Sequence, residues 1–274
     1  TMSGVLTIPS GNTIFVLGGN NTMSGVLTIP SGNTYFVLLG NNTVSGVLAI
    51  PSGNTFFKLG GSNAMSGVLT IPSGNTFFAL SGNNTMSGVL NIPSGNTYFV
   101  LFGSNTVSGV LNIPSGNTYF ALDGNNTVSG VLTIPSGNTI FSLYGNNTVS
   151  GVLTIPSGNT YFQLGGLNSC SYNISSLPNA CKFLDLNSVN GVYTYNLTSG
   201  SKVFASGMSK ISIRPKTATW TSAMTDALLI DLLTVGNTWT SEKTVDLRGN
   251  CGARTSASDA AVATLTSYGV TVLT

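Results

Sequence analysis

The sequence predicts a mainly β protein: a parallel β-solenoid of eight 21-residue rungs followed by a small α/β (βαβαβ) domain. The unit TMSGVLTIPSGNTIFVLGGNN recurs eight times without a gap over residues 1–168, and such a fixed period is typical of solenoids. Each unit holds two short runs rich in Val, Ile, Thr and aromatic residues between Gly, Pro, Asn and Ser clusters, which indicates strand, turn, strand, turn. After residue 216 the pattern changes to alternating helices and strands.

The eight copies indicate which side of each strand faces the interior. Below, a repeat position is the residue number in the first copy. Leu6 and Ile8 in the first strand, and Phe15 and Leu17 in the second, are the same in every copy. Because side chains alternate across a strand, these four positions are predicted to point inward. Positions 7, 16 and 18 vary between copies, so they are predicted to face solvent.

The corners of each rung carry small and amide residues. Gly4, Gly11 and Gly19 are expected at corners that need a positive φ. Asn12 and Asn21 do not change between copies. If the rungs stack, these asparagines should form amide ladders in the turns.

A single rung cannot fold alone. Its four inward side chains stabilise it by roughly 6 to 12 kcal/mol. Ordering its backbone costs about 1 to 2 kcal/mol for each residue. Contacts with the rungs on either side must therefore supply the rest, as in other repeat proteins.

Two positions that should point outward remain apolar. Position 5 is always Val, and position 14 is always Ile, Phe or Tyr. They could pack sideways or form an aromatic ladder on one surface; alternatively, they form a lateral interface with another chain. We expect the interface, a homo-oligomer contact through an apolar stripe. An intertwined trimer is the main structural alternative to a single-chain solenoid. The stripe contains Val5, Tyr35, Phe56, Phe77, Tyr98, Tyr119 and Tyr161.

Charge is scarce and unevenly placed. Charged residues make up 6% of the chain, and the repeats contain only Lys58 and Asp123. The net charge of +2 does not favour nucleic acid or an anionic membrane as a partner. No stretch approaches the length of an apolar transmembrane helix, so no membrane span is predicted.

The sequence starts in register with the repeat and has no capping segment. A solenoid end without a cap exposes unpaired backbone groups. We therefore expect either further sequence before Thr1 or another subunit on that end. The second option would give a head-to-tail filament.

The segment after the repeats divides into two parts. Residues 169–216 lose the period but keep strand character in KFLDL, GVYTYNL, SKVFA and SKISIRP, which predicts degenerate rungs and a cap. Residues 217–274 form the small α/β domain. A helix is predicted from a cap at Thr221 or Ser222 to Gly236, and a second from Ser256 or Ser258 to Gly269. With ISI, TVDLRGN and VTVLT as strands, this indicates a small parallel sheet.

The sequence does not determine whether its three cysteines form a disulfide or stay reduced. Cys170 and Cys181 flank a Pro-containing loop and could form a disulfide, and Cys251 is the third. There is no CxxC pair and no histidine to indicate zinc. We expect plain buried thiols.

Resemblance to known proteins is confined to general patterns. The segment VDLRGN at 245–250, with the following helix and VTVLT, resembles a pair of leucine-rich-type α/β units. The last 60 or so residues resemble C-terminal regions of phage tail-fibre and other virion structural proteins, and the repeats resemble β-solenoid fibres and adhesins. These resemblances imply a surface-exposed fibre component, extracellular or on a virion, and supply no catalytic residues.

No catalytic, cofactor or metal site is predicted, and we expect that the protein is not an enzyme. The absence of histidine removes Ser-His-Asp and Cys-His nucleophiles. Asp123 is the only carboxylate in the repeats, so no paired carboxylates for glycoside cleavage are available there. The recurring Asn-x-Thr triplets are interpreted as turn residues, and the strand threonine at position 7 varies too much for ice binding.

Two functions fit these patterns. The first is a structural subunit of an extracellular or virion fibre or filament that assembles through solenoid ends and the apolar stripe. The alternative is an adhesin or receptor-binding fibre whose C-terminal domain binds a glycan or surface receptor. The concentration of charged residues after Asn168 favours the alternative.

Overall fold

The computed structural model describes residues 2–66, 69–87, 90–108, 111–129, 132–149, 156–166, 171–188, 192–197, 202–215 and 220–274. As predicted, the chain is mainly β and forms a parallel β-solenoid with a small C-terminal α/β region; the solenoid has about seven turns. Its contacts divide it into two compact bodies. The N-terminal body comprises residues 1–138 and 146–152, and the C-terminal body comprises residues 139–145 and 153–274.

Each turn of the N-terminal body contributes strands to three parallel sheets, A, B and C. Strands of successive repeats pair with one another within one chain, so that Phe78 lies beside Phe99 in sheet C. Sheet A contains Met2–Ser3, Thr22–Ser24, Thr43–Val44, Ala64–Met65, Thr85–Ser87, Thr106–Ser108, Thr127–Ser129 and Thr148–Val149. Sheet B contains Leu6–Thr7, Leu27–Thr28, Leu48–Ala49, Leu69–Thr70, Leu90–Asn91, Leu111–Asn112 and Leu132–Thr133. Sheet C contains Ile14–Leu17, Tyr35–Gly40, Phe56–Gly61, Phe77–Gly82, Tyr98–Gly103 and Tyr119–Gly124.

The prediction of two strands per rung is wrong, because the first strand is split. In the third copy Thr43–Val44 lies in sheet A and Leu48–Ala49 lies in sheet B. A Ser-Gly-Val corner separates them. The extra strand buries repeat position 2, as Val44 and Met65 show. Each rung therefore has a fifth inward apolar side chain beyond the four predicted.

The four predicted inward positions are confirmed. In the third copy Leu48, Ile50, Phe57 and Leu59 are all buried. The Phe57 and Phe78 rings are stacked with centroids 5.2 Å apart and planes 6° apart. In-register stacking thus turns each conserved apolar position into a continuous column of the core.

Repeat position 16 lies on the outward face, as predicted, but in the inner repeats its short side chains are buried instead of exposed to solvent. Val37, Ala79, Val100 and Ala121 occupy it and are buried, and Lys58 at the same position is half-buried. Side chains at positions 14 and 18 flank it on the same strand, and equivalent side chains lie in register above and below. Neighbours on all four sides cover a short side chain, even on the outward face of the sheet.

The predicted amide ladders form, and they run in opposite directions. The side-chain amide and backbone N–H of Asn42 both donate to Asn63 Oδ1, at 2.8 and 3.2 Å. In the second ladder the Asn54 side-chain amide donates backwards to Asn33 Oδ1 at 3.2 Å. All four side chains are buried. Because the two columns point their amide dipoles in opposite directions, their dipoles offset each other.

The corner glycines meet two different requirements. Position 19 has a positive φ, for example 92° at Gly40. The prediction of a positive φ at Gly11 is wrong. In the third copy, the equivalent Gly53 is needed because a Cβ there would lie 2.7 Å from the Ser31 carbonyl oxygen. Close approach of adjacent rungs therefore fixes this glycine.

The C-terminal body contains a parallel sheet, here called the C-terminal sheet, and two helices. Its strands pair in register, Phe162 with Leu184 and Leu184 with Ile211, and these inward residues are buried. The strands are Ile140–Gly145, Tyr161–Gly166, Phe183–Ser188, Lys210–Ile213, Thr244–Asp246 and Thr271–Leu273. A separate two-stranded sheet contains Ser171–Asn173 and Val192–Thr194. The segment 202–205, predicted as a strand, is irregular.

The two predicted helices are present. Helix α1 spans Ser222–Asp231, and the Thr221 side chain caps it by accepting from the Met224 N–H. The 3-10 helix Leu232–Thr238 follows and contains Gly236 with φ 61°. Helix α2 spans Asp259–Ser267 and is followed by Gly269 with φ 79°. Two further 3-10 turns span Ile174–Ser176 and Ser256–Ser258.

Two cysteines are free thiols. Cys181 is buried and Cys251 is partly exposed. Burial raises the pKa of each thiol to about 12, so both are protonated at neutral pH. Cys170, the predicted partner for a disulfide with Cys181, lies outside the described residues.

Candidate interaction surfaces

The outward face of sheet C carries a column of stacked aromatic rings. Tyr35 and Phe56 have centroids 4.3 Å apart, and the next three neighbouring pairs stack at 4.5, 4.9 and 4.3 Å. Because each ring covers the face of its neighbour, the ring edges are what solvent meets. This surface, defined by repeat positions 14, 16 and 18 of sheet C, is called the aromatic face below.

The predicted apolar stripe is divided between different surfaces. Position 5 lies next to sheet B, where Val47 is 46% exposed. Position 14 begins the strands of sheet C, where the aromatic ladder forms. Tyr161 belongs to the C-terminal body, where its ring stacks on Phe183 at 4.2 Å. Val5 and the aromatic residues therefore form two columns.

Position 18 on the aromatic face holds residues of very different size. Leu39 and Phe102 are 42% and 41% exposed. Between them in the sheet are Gly60 and Ser81, and beyond Phe102 lies Asp123. The face is thus apolar and uneven, with Asp123 and the half-buried Lys58 as its charges.

The C-terminal sheet has a polar outward face at the equivalent positions. One residue from each of five successive strands lies in register along its centre. This column, called the polar column below, contains Ser142, Gln163, Asp185, Ser212 and Asp246. Its first two members are joined, since Ser142 Oγ donates to Gln163 Oε1 at 3.2 Å.

An aromatic pair and a cation border the polar column. Tyr161 OH donates to Gln163 Oε1 at 3.2 Å, and the Tyr161 ring stacks on Phe183. Lys210 Nζ lies 5.3 Å from the centroid of the Phe183 ring. The aromatic column of this body therefore ends in a cation–π contact.

Asp185 is a buried carboxylate in the middle of the polar column. Asn187 donates to its Oδ1, and Lys210 Nζ lies 3.4 Å from its Oδ2. Lys210 also lies 3.4 Å from Glu242. Burial raises the pKa of Asp185, and the positive charge of Lys210 opposes that rise without cancelling it.

Asp246 is a second buried carboxylate, and its pKa is shifted in the opposite direction. Burial alone would raise its pKa, but hydrogen bonds from Arg248 and Arg214 outweigh burial and hold the pKa below its usual value. Arg248 donates from Nε at 3.0 Å and from a terminal nitrogen at 2.9 Å, and its backbone N–H donates at 3.2 Å. Arg214 donates to the same carboxylate.

The polar column and its neighbours offer exposed hydrogen-bond donors above buried carboxylates. The side chains of Arg214 and Arg248 are 43% and 54% exposed, whereas Asp246 is 4% exposed. Each carboxylate holds its cations in fixed positions. These donors lie at the opposite end of the strands from the Tyr161 and Phe183 rings, and they can hydrogen-bond an oxygen-rich ligand.

Other buried polar groups in the C-terminal body have structural roles. Asp226 accepts from the Thr255 N–H, the Thr255 hydroxyl and the Ser258 hydroxyl, at 2.9, 2.6 and 2.6 Å, joining α1 to the start of α2. Lys202 Nζ donates to Asn179 Oδ1 at 3.0 Å and to the Leu177 carbonyl. Burial lowers the pKa of Lys202.

Metal and membrane features are absent from the described residues. No group of three or more His, Cys, Asp or Glu side chains in that part of the chain is placed to hold a metal ion. No helix among the same residues has the length and apolar character needed to cross a bilayer.

Sequence reasoning predicted no catalytic, cofactor or metal site, and it did not identify the polar column. The available signal was the concentration of charged residues after Asn168. Asp185, Ser212 and Asp246 each lie between two inward apolar residues of a short strand, the same pattern as repeat position 16. In comparisons with known proteins, the chain matches no protein-family model and no curated protein.

Proposed function

We propose that the protein is a structural, non-enzymatic subunit of an extracellular or virion fibre or filament. The observation that carries the proposal is the aromatic face. Stacked ring edges and the exposed side chains of Leu39 and Phe102 form an apolar surface along successive strands of sheet C. An extended apolar surface on a soluble body is typical of a protein contact.

Self-association is proposed at two places. The aromatic face provides a lateral contact with a second copy. The other is an end-to-end contact between solenoids, because an edge strand of a parallel sheet can accept a further strand through the same backbone hydrogen bonds. The location outside the cell or on a virion rests on the resemblance of the last 60 or so residues to tail-fibre proteins.

Electron microscopy and sedimentation of the purified chain test this proposal. We expect dimers and longer assemblies whose amount increases with protein concentration, seen as filaments or paired particles. As a control, the same preparation of the F102S variant, which removes an exposed apolar side chain, should assemble less. Dispersed monomers at high concentration in both preparations would reject the proposal.

The polar column supports a second candidate, an adhesin whose C-terminal body binds a glycan. Exposed Arg214 and Arg248, the Gln163 amide and the Tyr161 ring are groups that bind sugars through hydrogen bonds and apolar contact. Binding of the full chain to a glycan array is the test.

The array is repeated with R248Q and with R254Q as a matched control. The Arg254 side chain, 33% exposed, pairs with Asp259 at the start of α2 instead of with a carboxylate of the polar column. If the column binds the glycan, R248Q should lose most of the signal and R254Q should keep it. Equal signals from both variants would assign any binding to another surface.

A further inference from the structure

We propose that two copies of the chain pair through their aromatic faces in a two-fold symmetric dimer, held in orientation by ion pairs between Lys58 and Asp123. The dimer is antiparallel in the sense that the repeats of the two copies follow one another in opposite directions. This inference rests on the proposed lateral self-association and specifies its partner and geometry. Lys58 and Asp123 are the only charged residues in residues 1–168.

Both charges lie on the aromatic face of one body but are too far apart to pair within a chain. Lys58 is at position 16 of Phe56–Gly61, and Asp123 is at position 18 of Tyr119–Gly124. Two other strands lie between these strands, so the two residues are three strand spacings, or about 14 Å, apart along the sheet. Within the described residues neither side chain has an ion-pair partner.

A two-fold axis can relate two facing sheets in two simple ways. An axis perpendicular to the strands places every strand opposite its own copy, so that Lys58 faces Lys58. An axis parallel to the strands, passing between Phe77–Gly82 and Tyr98–Gly103, reverses their order. The strand with Lys58 then faces the strand with Asp123, twice, by symmetry.

The antiparallel arrangement replaces two like-charge encounters, Lys58 with Lys58 and Asp123 with Asp123, with two attractions. Facing sheets pack about 10 Å apart, and a lysine carries its charge on a flexible four-carbon stem. Asp123 lies two residues along the opposing strand from the position directly opposite Lys58, and the lysine side chain is long enough to span that offset. Charges at an interface favour one orientation over another more than they add affinity.

The shapes of the side chains agree with the same axis. Position 18 of the strand Tyr98–Gly103 is Phe102, which is 41% exposed. The reversed order places it opposite Ser81 of the second copy, a small residue. It also places Asp123 opposite Gly60, which has no side chain to obstruct the carboxylate.

A charge-exchange experiment on the full chain tests the orientation. The dimer dissociation constant is measured by analytical ultracentrifugation for wild type, K58D, D123K and the double variant K58D/D123K. Each single variant places like charges opposite each other and should weaken the dimer about tenfold or more. The double variant restores opposite charges and should return within about threefold of wild type.

Neutral variants and a distant charge change provide controls. K58Q and D123N remove attraction without adding repulsion, so each should weaken the dimer less than its charge-reversed counterpart. K182D changes net charge as K58D does, but at an exposed residue of the C-terminal body, and should leave the dimer unchanged. Circular dichroism and thermal melts identify any variant that has lost its fold.

The outcomes separate this inference from the proposed function. A double variant no tighter than the weaker single variant, or single variants that dimerise like wild type, would overturn the antiparallel ion pairs while leaving lateral assembly in place. The absence of any dimer in wild type would overturn both.

Discussion

The repeat strands of the N-terminal body and the strands of the C-terminal sheet both bury apolar residues at their inward positions, and they differ on their outward faces. Phe99 and Leu101 in the first, and Leu184 and Leu186 in the second, are all buried. The outward residue between each inward pair changes from Val or Ala in most repeats to Asp185 or Asp246. Strand pairing and the core therefore do not require the exact repeat.

The inward residues, which both sheets share, stabilise the fold, whereas the outward residues, which differ, determine what each surface can bind. In the N-terminal body the outward aromatic residues of position 14 repeat in register, so their rings stack into a ladder of like groups. In the C-terminal sheet the outward residues differ from strand to strand, so neighbours pair as donor with acceptor and cation with anion. Repetition suits a self-associating surface, whereas variation suits a defined binding site.

The largest expected effect tests whether the inward apolar residues stabilise the fold more than the outward ones. F99A removes a buried ring that stacks on Phe78 and Phe120 at 5.2 and 5.3 Å. It should lower the free energy of unfolding by about 3 to 5 kcal/mol, because it leaves a cavity in the core. Y98A, at the neighbouring outward position, should cost about 1 to 2 kcal/mol through lost stacking. Chemical denaturation measures both, and equal costs would contradict the inward and outward assignment.

The next effect tests whether the amide ladders hold the corners. The Asn126 side-chain amide donates to Asn147 Oδ1 at 2.9 Å and to the Asp123 carbonyl at 3.1 Å. Asn105 in turn donates to Asn126 Oδ1 at 2.8 Å. N126A should cost about 2 to 3 kcal/mol, because it leaves buried groups without partners.

The neighbouring asparagine is the matched control for that variant. Asn125 is exposed, so N125A should change the free energy of unfolding by less than about 0.5 kcal/mol. Thermal and urea melts of both variants make the comparison. A tolerated N126A would show that backbone pairing alone holds the corner.

A somewhat smaller effect tests the two carboxylates of the polar column. D246N removes charge-assisted hydrogen bonds to Arg248 and Arg214 and should cost about 2 kcal/mol at pH 7. The folded-state pKa of Asp246 is depressed, so its contribution is present above the unfolded pKa of about 3.9 and is lost as pH falls further. The difference between wild type and D246N should therefore shrink below about pH 4.

D185N should behave in the opposite way. The folded-state pKa of Asp185 is raised, so protonation favours the folded state and ionisation at pH 7 costs stability. D185N should then change the free energy of unfolding by less than about 1 kcal/mol at pH 7. Urea melts between pH 3 and pH 7 measure both variants. Parallel pH profiles would show that the two environments do not differ.

The sequence predicts most of the fold because each feature repeats at a fixed interval. The 21-residue period specifies stacking, identical Leu and Phe positions specify the core, and unchanged asparagines specify the ladders. The sheet A strand was missed because a two-residue strand such as Thr43–Val44 is too short to show alternation. The polar column was missed because Asp185, Ser212 and Asp246 are brought together by pairing at intervals that no longer equal the repeat.

The misassignment of position 16 has a different cause. Variation between copies predicts exposure, yet Val100 is fully buried by neighbours on the outward face. Such a site differs from the core interior because a longer side chain can extend past its neighbours to water, as the half-buried Lys58 indicates. Tolerance of many residue types and burial of the short ones can therefore coexist.

The smallest expected effect tests that explanation. V100S replaces a buried outward residue with one already present at Ser142 in the same repeat position. It should cost about 1 kcal/mol, the free energy of the lost apolar burial. F102S, at the exposed position 18 of the same strand, should cost less than about 0.5 kcal/mol in a dilute monomer. If urea melts at low protein concentration rank F102S as more destabilising than V100S, the outward centre of sheet C is solvated and position 16 is a surface site after all.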